Sequence, residues 1–320
     1  MAINKEIWIK DFQANLYDVQ EWYSVGKNHS EYVLNSVVHV PNAIASATPT
    51  KITNSTSLPV ATVRQTFDDL TYSIAMIATP PTFVTNIDAS EASFDTRSAL
   101  MKDAVDFLKQ AISIEIADMW APETAENCGL TTGTATRSNI YGNTSIKKLT
   151  FQDILTAKAK LIRNTKNVNL DKLFIVVDAV MYNDIVAMTE FIGKSTIVGD
   201  TAAIKGLVGE VAGLKVIVRA LGLPYISQFV KESVDYTDNH AATAFSAALL
   251  FAGDYVSYAY GTMENGGIQM GVLPYAPGYY SDILQGHTRV GGSPLYKAVD
   301  LNATTGVDTI KGVYAIVEAK

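Results

Sequence analysis

Between Tyr32 and Val63 the chain carries one formal charge, Lys51, in a stretch rich in Thr, Ser, Asn and Val and interrupted by Pro41, Pro49 and Pro59. Proline has no N–H to give a sheet ladder, which keeps such a stretch out of a central strand. A segment so poor in charge is equally unsuited to life as a solvated tail. It cannot close a core of its own and must rest on other protein, other copies of the same chain included. Shortly after it, residues 96–120 repeat apolar side chains at helical spacing. Met101, Val105, Leu108, Ile112, Ile116 and Met119 form a stripe that Leu100, Ala104, Phe107 and Ala111 widen. Lys102, Asp106, Lys109 and Ser113 fall opposite, with Lys102 and Asp106 at pairing distance. About 25 residues at 1.5 Å each give a rod of roughly 37 Å, the length of a structural spine. Asp88 with Glu91, and Asp95, are start signals for it, and Pro122 followed by GLTTGTATRSNIYGNTS (129–145) marks its far boundary.

The 320 residues suffice for two ordinary domains or one elaborated one. Charged residues make up 18% of the chain and apolar ones 48%, against a usual charged share of ~25%. That fits a surface largely covered by partners, and fits a large core equally well. A net charge of −7 argues against tight non-specific binding to nucleic acid. The single cysteine, Cys128, excludes an intrachain disulfide framework. The opening MAINKEIWIKDFQ is charged and amphipathic and has no apolar core of a secretion signal. The best apolar run, Ala241 to Gly253, is shorter than the ~20 residues of a membrane span and is interrupted, so no membrane partner is expected. Asn-x-Ser/Thr triplets at Asn28, Asn54, Asn143 and Asn302 are chance matches in a chain this rich in those residues.

Along the chain, Ile9, Phe12 and Leu16 fit one face of a short helix. With Trp8, Tyr17 and Trp22 they make either an arm that packs on a neighbour or the first element of an ordinary core. SLPVATVRQTF (57–67) and DLTYSIAMIA (69–78) have the β-branched and aromatic content of strands, and Pro80–Pro81 stops the second. They predict a long two-stranded excursion that leans on something else. Beyond the boundary the pattern turns α/β. Thr150 with Asp153 opens a helix through FQDILTAKAKLIRN, LFIVVD (173–178) is a strand buried on both faces, and VMYNDIVAMTEF continues as helix. GLVGEVAG (206–213), where Gly206, Gly209 and Gly213 allow tight turns, leads into the strand LKVIVR (214–219). AFSAALLFAG (244–253) is another buried element. Six tyrosines follow (Tyr255, Tyr258, Tyr260, Tyr275, Tyr279, Tyr280), and the stretch from His287 to the end predicts strands returning to a sheet.

No chemistry emerges. GKST (193–196) has Met188 where a phosphate loop needs glycine, and it trails a helix instead of following a strand. His29, His39, His240 and His287 have no partner at metal-ligand spacing, and Cys128 has no nucleophile setting. Asp68 and Asp69 are adjacent in a strand or turn and point to opposite faces, which is wrong for a shared acid–base pair and suits a charged edge. No catalytic, cofactor-binding or metal residue is assigned.

The order of parts resembles a tailed-bacteriophage major capsid protein of the Hong Kong 97 type. LTFQDILTAKAKLIRN, LFIVVDAVMYNDIVAM and then GLVGEVAGLKVIVRALGLP are similar to that family's axial domain, and AFSAALLFAGDYVSYAYG and GHTRVGGSPLYKAV to its late segments. The resemblance covers essentially the whole chain, and its specificity lies in the order of the segments more than in any one of them. It implies an α+β fold: an N-terminal arm (1–35), an extended E-loop (36–88), a peripheral domain (89–145 and 286–320) built on the spine helix 96–120, and an α/β axial domain (146–285). The function it implies is self-assembly into hexamers and pentamers of an icosahedral shell that encloses double-stranded DNA. The partners would be copies of the chain, a portal and, with no long charge-rich leader seen, a separate scaffolding protein or no scaffold at all. DNA would lie nearby without sequence-specific binding, in a virion assembled in the bacterial host's cytoplasm. Some relatives crosslink subunits through a Lys–Asn bond, and Lys51 is the only lysine of the loop that could serve. An encapsulin-like compartment shell is the near alternative. An α/β enzyme or ligand-binding protein with a site near the tyrosines is the distant one.

Overall fold

The structure, a computed structural model, describes residues 20–45, 66–85, 96–165, 168–188, 192–193, 207–227, 229–237, 239–261, 267–276, 281–299 and 308–320. A 3-10 turn at Trp22–Val25 leads to strands β1 (Val37–Ala45), β2 (Thr66–Ser73), β3 (Ala75–Ala78) and β4 (Thr82–Thr85), and helix α1 spans Thr96–Trp120. Then come β5 (Cys128–Leu130), α2 (Phe151–Thr165), β6 (Leu173–Asp178), α3 (Ala179–Val186), β7 (Leu207–Val211), β8 (Leu214–Arg219) and β9 (Pro224–Ser227). The chain closes with β10 (Phe245–Ala252), β11 (Val256–Tyr260), β12 (Ile268–Ala276), β13 (Ser281–Pro294) and β14 (Val313–Val317). Helices and sheets are mixed in the α+β manner expected.

Strands that are apolar at every position sit between two layers. In β6, Phe174 and Val176 join one core, while Leu173, Ile175 and Val177 join another on the opposite face. β10 and β14 alternate in the same way, Leu249 and Phe251 against Leu250, and Val313 and Ala315 against Tyr314 and Ile316. They belong to one nine-stranded sheet. In it β6 runs parallel to β8 and antiparallel to β10, and β14 takes the other edge of β10 and pairs with β5. Helices α2 and α3 cover one face, and the C-terminal half of α1 covers the other. α2 begins in the predicted box: the Thr150 amide donates to Asp153 Oδ2 at 3.0 Å and the Asp153 amide to Thr150 Oγ1 at 3.2 Å. α3 is capped by Asp178, which ends β6 and accepts from the amides of Val180 and Met181. It is shorter than predicted, with turn residues at 187–188, and 189–191 lie outside the described residues.

The spine occupies the predicted residues and lies on a six-stranded sheet centred on the 14-residue β13. One edge of β13 carries β11 and β12, the other β3 and β4. Glycine lets helix and strand approach. A Cβ on Gly286 would stand 2.9 Å from Leu108 Cδ1, and one on Gly292 3.0 Å from the Trp120 indole nitrogen. Two details of the predicted polar face differ. Asp106 meets Lys109, at 3.7 Å, in place of Lys102. Ser113 is fully buried, because Trp22 docks there and its indole N–H donates to Ser113 Oγ at 2.8 Å. Gln110 and Glu115 are buried too, with Tyr236 bonded to both, so the second half of α1 is enclosed nearly all round. Of the two expectations for the first residues, Trp22 fulfils the core one. Trp8, Ile9, Phe12, Leu16 and Tyr17 lie outside the described residues.

The ribbon is paired differently from the prediction. β1 pairs with β2, from Val37 opposite Ser73 to Asn42 opposite Asp68, so 37–45 faces 66–73; of the predicted strand 57–67 only 66–67 are described, and they belong to β2. DLTYSIAMIA is broken at Ile74 into β2 of the ribbon and β3 of the six-stranded sheet. The break has a cause: the Ile74 amide donates to Ser36 O at 2.9 Å and its side chain is buried with Val38, Tyr72 and Ala259. Ser36 follows Asn35 in a two-residue turn with both φ positive, 49° and 68°, the mirror-image geometry that suits a tight hairpin. Ala212 and Gly213 make a similar turn between β7 and β8, whereas Gly209 lies within β7 opposite Val216. The 46–65 stretch, with Lys51, lies outside the described residues, as do the helix-start residues Asp88, Glu91 and Asp95. The grouping of 286–320 around the spine is also uneven: 286–294 packs on α1, but β14 belongs to the nine-stranded sheet.

A buried polar network locks the 131–145 segment to the α/β layers. Arg137 bridges Asp184 of α3 at 2.8 Å and Glu318, just past β14, at 2.7 Å. Glu318 also accepts from Asn139 and from the Ser246 amide, and Ser246 Oγ donates to Asp178. Burial pushes the Glu318 carboxyl above its usual range, and these donors only partly pull it back.

Stability measurements check these packing and network contacts. Denaturant unfolding of the unassembled chain is expected to show Trp22→Ala about 3–5 kcal/mol less stable. Ser113→Ala, which strands the buried indole N–H, is expected to cost about 1–3 kcal/mol. Arg137→Leu leaves two carboxylates buried without their cation and is expected to cost about 3–5 kcal/mol. Arg137→Lys recovers only part of this, because one ammonium does not reproduce the guanidinium fork.

Candidate assembly surfaces

β13 has two faces of opposite character. Leu284, Gly286, Thr288 and Val290 are buried toward α1, so Ile283, Gln285, His287 and Arg289 point the other way. Strand partners share a face, and the register sets Phe83 and Leu273 on either side of Ile283. These three make an apolar row across three strands, with Phe83 61% and Leu273 56% exposed. Met76, also exposed, continues the face beside Arg289. Among the described residues no helix packs on this side of the sheet. At the margin of the helix-covered face, Thr79, Pro80, Leu100, Phe107 and Met270 line an open notch of about 200 Å³.

Tyr32 and Leu34, at the foot of the ribbon, and Ile226 and Val230, on the hairpin that edges the nine-stranded sheet, are exposed as well. A monomer usually scatters such residues singly, so apolar rows on strand faces mark contact surfaces. The ribbon carries little charge, and His39 Nδ1 and Asp69 Oδ2 stand 2.5 Å apart on adjacent strands. Asp69 is thus matched by a long-range partner, while Asp68 lies opposite Asn42 in the register. The foot of the ribbon is fixed by Arg289, whose guanidinium bonds Ser36 Oγ.

The residues considered for chemistry are placed as follows. Cys128 lies in β5, buried, with its thiol directed at Pro122 O at 3.3 Å, and burial pushes its pKa up to about 12, which keeps it protonated and unreactive. His240 is buried with Nδ1 3.2 Å from Glu232 Oε2, a pairing between segments that local spacing could not display. His29 stacks edge-on against Tyr32, and burial lowers its pKa. His287 is half-buried in β13. Gly193 pairs with Gly209 at the sheet edge, and the remainder of GKST lies outside the described residues. Tyr258 and Tyr260 pack with Tyr23, the Tyr260 and Tyr23 hydroxyls 3.0 Å apart. Tyr279 and Tyr280 lie outside the described residues. Among the described residues no group of three His, Cys, Asp or Glu is placed to hold a metal, and no helix is long and apolar enough to cross a membrane.

No protein-family profile matches the chain, and no curated protein matches its sequence. Solved structures do match its fold. The capsid of Ralstonia phage GP4 aligns with a TM-score of 0.64 at 12% identity, covering 98% of this chain and 94% of that one. The mature capsid of bacteriophage PhiM1 gives 0.61 at 12% identity, covering 98% and 91%. The capsid of cyanophage P-SCSP1u gives 0.60 at 15% identity, covering 92% and 90%. Alignments that run nearly end to end at this identity carry the architecture and not the residues. The resemblance drawn from the order of sequence segments is borne out at that level: this chain has the fold of phage capsid proteins.

Proposed function

We propose that the chain is a major capsid protein of a tailed phage, of the Hong Kong 97 type, and that it has no enzymatic role. The six-stranded sheet with α1 serves as peripheral domain, the nine-stranded sheet with α2 and α3 as axial domain, and the ribbon of β1 and β2 belongs to the E-loop. Subunits gather into hexamers and pentamers of an icosahedral shell around double-stranded DNA, assembled in the host cytoplasm with a portal and a separate scaffolding protein. The observation that carries this is the likeness to phage capsid chains over 92–98% of the sequence. The exposed apolar row on the six-stranded sheet adds a physical reason for association.

Shell formation needs no single strong contact. A standard interface buries ~1,600 Å², and closed symmetry makes each subunit engage several neighbours at once, so modest contacts persist together. A ribbon nearly free of unpaired charge lies on a neighbour without stripping water from ions.

The test is a double variant, Phe83→Glu with Leu273→Glu, followed by light scattering and negative-stain microscopy. Both side chains are exposed, so the chain is expected to stay folded by circular dichroism and to lose shells where the parent forms them. Unchanged shells would remove this face from the assembly. Parent particles with packaged DNA exclude the cargo-compartment alternative, and a parent that stays monomeric overturns the proposal.

A further inference from the structure

The charge of this chain is not evenly spread. Residues 147–172 hold seven of its 25 Lys and Arg but two of its 32 Asp and Glu, a local net charge of +5 in a chain of −7. Of the two acids, Asp153 is turned inward: it caps α2 and accepts from the Thr132 hydroxyl at 2.5 Å. Lys172 is matched by Asp254 at 2.8 Å, and Lys158 reaches Ala212 O at 2.5 Å, away from the exposed face of the helix. Of the other five, Lys147 is half-buried and Lys166 lies outside the described residues; Lys148, Lys160 and Arg163 are exposed and without an ion pair among the described residues.

These three do not stand alone. The outward stripe of α2 is Gln152, Thr156, Lys160 and Arg163, a row of hydrogen-bond donors at helical spacing, and Lys148 precedes its first turn. Lys160 is held in place, its Nζ 5.6 Å from the Tyr314 ring centroid and 3.2 Å from the Tyr314 hydroxyl. Gln, Thr, Lys and Arg are the side chains that meet phosphate oxygens without reading bases. The surface is open and shallow, and Leu155 is its one large apolar side chain, just over a third exposed. A protein partner would call for a seated aromatic or apolar anchor, which this face lacks. Fifteen helical residues span roughly 22 Å, alongside which a duplex presents about 13 phosphates at one per ~1.7 Å.

We propose that the exposed face of α2 is a sequence-independent contact surface for the phosphate backbone of double-stranded DNA. That this face turns toward the interior of a shell rests on the capsid proposal; the DNA contact does not. Three cations make a weak site, dissolved by salt in the isolated subunit and effective when many copies face one duplex.

The experiment measures binding of a labelled random-sequence duplex to the purified chain by fluorescence anisotropy across a salt series. Binding is expected at low salt, with log affinity falling against log salt at a slope near −2.7, three contacts at ~0.9 each. Lys160→Glu with Arg163→Glu is expected to lower affinity at least tenfold and flatten the slope. Lys148→Glu, outside the helix, is expected to give a smaller loss in the same direction. Lys102→Glu, exposed on α1, is expected to leave binding unchanged. Equal binding by the double variant overturns the proposal. So does a chain that ignores the duplex but binds polyglutamate, which would make the face a dock for an acidic protein. Shell formation is followed on the same samples. A double variant that assembles yet has lost the duplex supports the proposal, and a parent that binds the duplex but never assembles keeps the DNA contact while removing the capsid role and the inward orientation.

Discussion

The aromatic joint at the end of the spine holds the two sheets in one body. Trp120, the last residue of α1, meets Trp22 edge to face with ring centroids 5.3 Å apart, and both contact Phe251 of β10. Phe251 stacks on Phe174 of β6, so the contact passes from the spine into the middle of the nine-stranded sheet. The Trp120 indole N–H donates to Ser257 O at 2.9 Å, which ties the same ring to β11 of the six-stranded sheet. Each edge-to-face pair adds ~0.5–1.5 kcal/mol beyond its burial. More important is that both indole donors are satisfied, since a buried unpaired N–H would cost more than the pair contributes. The Arg219 guanidinium lies 5.4 Å from the Trp22 ring and covers its remaining side. The joint is one part of a continuous core in which α1 packs on both sheets.

Rigidity in that joint gives the exposed surfaces their meaning. An apolar row such as Phe83, Ile283 and Leu273 can define a repeatable contact only if the sheet that presents it keeps its angle to the rest of the subunit. The polar lock around Arg137 does the same for the other half, where a chain segment of mostly small polar residues would otherwise wander. Three elements that are distant in sequence meet there, and a buried ion pair with added hydrogen bonds tolerates little displacement. The fold thus combines stiff sheet faces with a two-stranded ribbon.

Much of this was legible before the fold. The spine was written in a helical stripe, and β6 and β10 in runs too apolar to face water on either side. The Thr150–Asp153 box marked the start of α2. What escaped depended on partners far along the chain. Ser113 looks like a solvent residue until Trp22 arrives from 91 positions away. β1 was missed because Pro41 argues against a central strand, although Pro41 tolerates its ribbon place and His39 finds Asp69 across the ladder. The break at Ile74 depends on an amide bonding Ser36 O, which no local pattern announces. The candidate surfaces were foreseen only in kind. A low charge count spoke of covered area, but which residues form the row follows from register, and register is a long-range property.

The charge pattern reconciles an acidic chain with a nucleic-acid partner. With +5 held in residues 147–172, the remaining residues carry −12. On balance that remainder repels a duplex, an effect screened beyond about 8–10 Å at ordinary salt. Contact is thereby confined to one face, and orientation comes from repulsion elsewhere as much as from attraction there. A uniformly basic subunit would bind DNA from every side and tangle assembly with its cargo. A uniformly acidic one would hold the duplex off everywhere. One basic helix on an acidic body would touch a duplex weakly and release it readily as salt rises.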